Sequence, residues 1–120
     1  MNLKKACEFL KSIIPEPKYK GYSGKICIIG GSPNYTGAPY YAAISALRTG
    51  ADLSHVFCHP TAASAIKTYS PELIVHSCLD NQNNFEKEAE AWFDRFTGFV
   101  IGPGLGRELA VDSSENLQFF

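Results

Sequence analysis

Leu3, Ala6, Cys7, Leu10, Ile13 and Ile14 recur every three or four positions, which lines them along one helical face. Pro15 and Pro17 interrupt that pattern, so residues 3–14 are predicted to form an amphipathic helix. Gly21-Tyr22-Ser23-Gly24 then signals a loop, and Lys25 to Ile29 is a short strand-like run ending in Gly30-Gly31. Pro39 opens a helix of small residues, Ala42, Ala43, Ala46 and Leu47, and Gly50 closes it where a left-handed cap is favoured. The same unit repeats. Asp52 to Cys58 reads as a strand, and Thr61 as the cap of a short helix through Lys67. Leu73 to His76 reads as a third strand, and Phe85, Ala89, Trp92, Phe93 and Phe96 as one face of the next helix. Gly98 to Ile101 is a fourth strand. Strands separated by helices in this way predict an α/β fold, a parallel sheet with helices on both faces.

No linker divides the 120 residues, so 1–120 reads as one domain. Both faces of a parallel sheet must be covered, and after Arg107 only Glu108 to Phe120 remain, ending in the apolar pair Phe119-Phe120. That tail could supply one short helix at most, so the expectation is the N-terminal part of a domain whose C-terminal half is absent.

Composition narrows the function classes. Apolar residues make up 45% and charged residues 19%, which argues against disorder and for a soluble globular chain. Eleven basic against twelve acidic residues give a net charge of −1, which offers no broad surface for nucleic acid or anionic membrane. No apolar run approaches the ~20 residues of a membrane span. Cys7, Cys27, Cys58 and Cys78 form no CxxC or CxxH pair, and Cys27 sits inside Ile26-Cys27-Ile28-Ile29 as a small hydrophobe. Reduced thiols and the lack of an export signal point to the cytoplasm, with a mitochondrial location left open if a presequence is missing.

In open α/β sheets, ligands bind beyond the carboxyl ends of the strands. Two glycine-rich segments fall there. Gly30 to Pro39 offers close backbone approach, free amides at a helix start, and the side chains of Ser32, Asn34, Tyr35 and Thr36. It is neither a Walker A loop nor GxGxxG. Gly102-Pro103-Gly104-Leu105-Gly106-Arg107 offers three glycines and a cation that could anchor a phosphate. For both segments a plain turn remains the alternative. His55, His59 and His76 lack the carboxylate or cysteine that would complete a metal set at ligand spacing. Lys67, Tyr69, Ser70 and Glu72 gather where the second βα unit's helix ends, and capping explains them as well as a pocket does. The charges of residues 86–95 read as a solvated face, and Trp92 as packing.

Several motifs together resemble a known family. Lys20-Gly21-Tyr22-Ser23-Gly24-Lys25, Ile28-Ile29-Gly30-Gly31-Ser32, and Tyr35-Thr36-Gly37-Ala38-Pro39 are similar to the opening of the NAD(P)H-hydrate dehydratases. So are Ala46 to Leu53, Ile66 to His76, and Val100 to Arg107, in order and at near-family spacing. The resemblance implies a ribokinase-like fold and an enzyme that uses ATP to repair hydrated NADH and NADPH, with magnesium accompanying the nucleotide. Phosphorylating the hydrate's hydroxyl turns a poor leaving group into phosphate. By resemblance, Gly37, Ala38, Gly102, Gly104, Gly106 and Arg107 contact the NAD(P)H hydrate.

The chain departs from the family after Arg107. No Gly-Asp dipeptide is present, and in the family that motif carries the catalytic Asp and lies in the C-terminal half. The expectation is therefore a chain inactive alone. Should it act alone, its base would be sought among Asp52, Glu72 and Asp80. Two alternatives stay open: a ribokinase-like small-molecule kinase, and a non-catalytic partner that binds dinucleotide or heterodimerises. A homo-oligomer is also compatible with the sequence.

Overall fold

The computed structural model describes residues 2–13, 16 and 19–107. The ends of the first predicted helix at Ile14, Pro15 and Pro17, and the tail through Phe119-Phe120, lie outside the described residues. In chain order the elements are α1 (Leu3–Ile13), β1 (Lys25–Ile29), α2 (Gly37–Arg48), β2 (Leu53–Cys58), α3 (Pro60–Tyr69), β3 (Ile74–Ser77), α4 (Gln82–Trp92), a single 3-10 turn (Phe93–Arg95) and β4 (Gly98–Ile101). The four strands form one sheet in the order β3-β2-β1-β4, every neighbouring pair parallel. The predicted α/β architecture is therefore the observed one.

Strand alternation decides which side chain meets which helix. Ile28 pairs with Val56 and Val100, while Cys27 pairs with His55 and Phe99. Ile28, Val56 and Cys58 face one way and are buried with Ala43 of α2 and Ala62, Ala63 and Ile66 of α3. Cys27, Ile29 and Phe57 face the other way, with Cys78, beneath Phe85, Trp92, Phe93 and Phe96. Small residues on α2 and α3 let those helices lie close to the sheet, whereas the α4 side is filled by aromatic rings. Burial pushes the thiols of Cys27 and Cys78 up to about 12 and that of Cys58 to about 11, so they act as unreactive core hydrophobes.

Three local expectations need correction. The second helix begins at Gly37, two residues before Pro39, because a proline lacking its N–H is tolerated anywhere in the first turn. α3 is capped by His59, not Thr61: Pro60 takes the first helical position, and the Thr61 amide donates to His59 Nδ1 at 3.3 Å. Phe96 lies past the 3-10 turn, so it reaches the α4-side core from a connection and not from the helix. At the end of α2, Gly50 adopts φ 119°, its amide donating to Leu47 O and that of Ala51 to Ala46 O, as a left-handed cap requires. α1 has the expected amphipathic pattern, yet Leu3, Phe9, Leu10 and Ile13 are exposed.

The α4 face holds a titratable chain. Glu88 of α4 accepts from His76 Nδ1 at 2.9 Å, and His76 Nε2 lies 2.9 Å from His55 Nδ1. With Glu88 ionised and His76 neutral, His76 Nε2 accepts the proton that His55 Nδ1 donates. Glu88 is thus not part of a purely solvated face. His55 lies among the rings of His76, Trp92 and Phe96. Burial, then His76 and Lys25, lower its pKa from 6.5 to about 4. The unfolded chain therefore takes up this proton first as pH falls. Stability from His55 is complete above pH 6.5 and declines toward pH 4, by up to about 3 kcal/mol. Urea titrations across that range should show this decline, and His55→Leu should flatten it.

Candidate functional site

The chain passes from β1 to β2 to β3 on one side and then returns to place β4 on the other side of β1. α2, which follows β1, and α4, which precedes β4, lie on opposite faces of the sheet, and an α/β sheet opens its ligand crevice where the strand order reverses in this way. The two glycine-rich segments singled out in the sequence are those two connections.

They are packed against each other. The Gly31 amide donates to Pro103 O at 3.0 Å, and the Gly102 amide donates to Ile29 O at 3.0 Å. A Cβ on Gly30 would stand 2.0 Å from Pro103 O, so this approach needs glycine. A Cβ on Gly104 would stand 3.0 Å from both Pro39 Cδ and Tyr35 O, and one on Gly106 3.0 Å from Ser32 Oγ. Gly104 and Gly106 also hold positive φ, 66° and 72°. These glycines thus have a packing reason that spacing alone did not reveal. Gly102 differs: it has φ 120° and open space where its side chain would be.

The start of α2 borders this junction. Its N-cap, Thr36, makes no capping bond; its hydroxyl instead pairs with Tyr69 Oη at 2.7 Å. Among the described residues nothing accepts from the amides of Gly37 and Ala38, and Pro39 has none to offer. A Cβ on Gly37 would meet only Tyr41 Cε2, at 3.8 Å. Two open amides at a helix start favour an anion, phosphate above all. Arg107 is exposed at the end of the β4 connection, on the same side of the sheet. The structure brings Gly104 and Gly106 against the turn that leads into Gly37 and Ala38.

The other candidates separate cleanly. Tyr69 joins the rim through Thr36, a link no motif announced. Ser70 Oγ accepts from the Glu72 amide at 3.2 Å, closing a local turn between α3 and β3. Asp52 Oδ2 accepts from the Gly21 and Ser23 amides at 2.9 and 3.0 Å, fixing a loop at the amino end of the sheet. Asp80 lies at the carboxyl end but beside β3, bonded to Asn84 and Asn81, and its carboxyl is held below the usual range chiefly by Asn84. Among the described residues no group of three His, Cys, Asp or Glu could hold a metal. No described helix is long and apolar enough to cross a membrane.

A parallel sheet with helices on both faces and glycine loops meeting at its switch point is an open α/β architecture. The fold is ribokinase-like: it is similar to a solved ribokinase-like superfamily protein of Enterococcus faecalis (TM-score 0.65, 25% identity, 78% of this chain and 31% of that one), and a solved Streptococcus mutans protein is similar too (TM-score 0.62, 27% identity, 80% and 34%). The family model described as NAD(P)H-hydrate dehydratase matches residues 26–119, and the chain belongs to that family. Relatives called ATP-dependent (S)-NAD(P)H-hydrate dehydratase include the Homo sapiens protein (51% identity, 92% of this chain, 32% of that one) and the Danio rerio protein (63%, 76% and 27%). The Drosophila melanogaster protein is 52% identical over 92% of this chain and 38% of its own length. The chain spans about a third of the length of the curated relatives it matches.

The packing separates two glycines that sequence treats alike. Gly30→Ala should lower the unfolding free energy by about 1–3 kcal/mol, because a backbone carbonyl must move. Gly37→Ala should leave it unchanged or raise it by about 0.4–1 kcal/mol. Urea unfolding of both variants checks the pair.

Proposed function

We propose that this chain carries the part of an ATP-dependent (S)-NAD(P)H-hydrate dehydratase that receives the hydrated dinucleotide. One observation supports it most: the two family motifs meet at the switch point and leave the Gly37 and Ala38 amides open. In this reading those amides take a phosphate of NADH or NADPH hydrate. Gly102, Gly104 and Gly106 let the β4 connection approach it closely, and Arg107 anchors its charge.

The chemistry follows from the leaving group. Hydroxide departs poorly from the hydrated ring. A phosphoryl group passed from ATP to that hydroxyl, whose proton goes to a base, releases ADP; phosphate then departs as the adjacent ring carbon gives up a proton, leaving the reduced ring. Magnesium would accompany ATP through its phosphate oxygens, as such transfers generally need. No group of three His, Cys, Asp or Glu among the described residues would hold that ion. Among the described residues no carboxylate is placed at the glycine junction: Asp52 is occupied at the opposite end of the sheet, Glu72 precedes β3 at that same end, and Asp80 is two strands away from β1. In this reading the transfer and its base belong to residues beyond the described span.

The test is recovery of NADH absorbance from its hydrate on addition of ATP. The 120-residue chain is compared with a version joined to the remaining two-thirds of the Danio rerio relative. Recovery by the joined version alone is the expected result. Recovery by neither, with both folded, would remove the dehydratase reading. Recovery by the short chain would refute the placement of the base elsewhere.

A further inference from the structure

Four tyrosines surround the glycine junction, and one of them is unlike the rest. Tyr40 contacts Tyr41 and Tyr69, with ring centroids 5.3 and 5.2 Å apart, and Tyr69 also spends its hydroxyl on Thr36. Tyr35 has no ring neighbour and no side-chain hydrogen bond among the described residues, and its side chain is 56% exposed.

Its backbone is nevertheless held firmly. The Ser32 amide donates to Tyr35 O at 3.2 Å, and the Tyr35 amide donates to Ser32 O at 3.1 Å. Across the junction the two glycines of the β4 connection lie against it. A Cβ on Gly104 would be 3.1 Å from Tyr35 Cβ, and one on Gly106 would be 3.6 Å from its ring Cδ2. The edge of the ring nearest the glycines is thus supported, while much of the ring surface is open. A large exposed aromatic group on a doubly bonded turn, beside open amides, offers a ring face to a planar ligand. Stacking on such a ring is tolerant of which base is presented, because every base has a π-face.

From this arrangement we infer that Tyr35 is the stacking platform for a planar base of the bound dinucleotide, while the Gly37 and Ala38 amides take its phosphates. The inference rests on the dinucleotide reading above and adds to it a positioning residue.

Calorimetric titration of the 120-residue chain with NADH tests it, with thermal unfolding as a control for folding. Tyr35→Ala should weaken binding by about tenfold, the scale of one lost stacking contact. Tyr35→Phe and Tyr35→Trp should stay within about twofold of the parent chain, since both keep a ring. Saturation transfer to NADH protons should diminish in Tyr35→Ala for the stacked ring, adenine or nicotinamide, which also identifies that ring. Unchanged binding by Tyr35→Ala, in a chain that does bind NADH, would overturn the inference and leave the dinucleotide reading standing. A loss in Tyr35→Phe equal to that in Tyr35→Ala would also overturn it, by assigning the effect to the hydroxyl. A folded parent chain that binds no NADH would overturn both.

Discussion

The hydrogen bond from the Gly31 amide to the Pro103 carbonyl ties together the two places where the chain leaves the centre of its sheet. That contact exists only because Gly30 presents no side chain toward the same carbonyl. Around it, Gly104 and Gly106 let the second connection settle onto Tyr35, Pro39 and Ser32. The consequence is a fixed backbone edge beside the uncapped start of α2. A strand-to-helix turn alone would offer a similar set of amides, but without a second wall to hold them in one arrangement. The glycines act first on packing, and any ligand chemistry at this edge follows from the geometry that packing fixes.

The two faces of the sheet support that edge differently. Beneath α2 and α3 the core is aliphatic and small, which brings helix starts close to strand ends. Beneath α4 it is aromatic and contains the Glu88–His76–His55 chain. A partly buried hydrogen-bonded network of this kind favours one arrangement of helix on sheet, and the buried His55 makes that arrangement sensitive to acid. The candidate site and the pH-sensitive network are therefore separated: one at the carboxyl ends of β1 and β4, the other under the α4 face.

Much of this was legible from residue order. The alternation of short apolar runs with helical spacing marked all four strands to within a residue or so, because each is a short, mainly apolar run bounded by turn residues or a helical pattern. The six motifs identified the family that the comparisons bear out. What residue order hid was contact across the sheet. Nothing near Gly30 or Gly104 in the sequence tells that each exists to admit the other connection. His55 and His76 looked like separate strand residues, since only the β2–β3 register brings their rings together. Thr61 is the commoner type of cap residue, but Pro60 takes the first helical position and leaves the cap to His59. Tyr69 looked like part of a helix end until the fold turned its hydroxyl toward Thr36.

The central claim is that the glycine junction and the start of α2 form one binding edge, and amide chemical shifts during an NADH titration test it most directly. The account predicts concerted, saturable shifts at Gly31, Gly37, Ala38 and Gly102 to Arg107, with Gly21, Ser23 and Asp52 unmoved at the opposite end of the sheet. Saturable shifts confined to that opposite end, or to the α4 face, would contradict it.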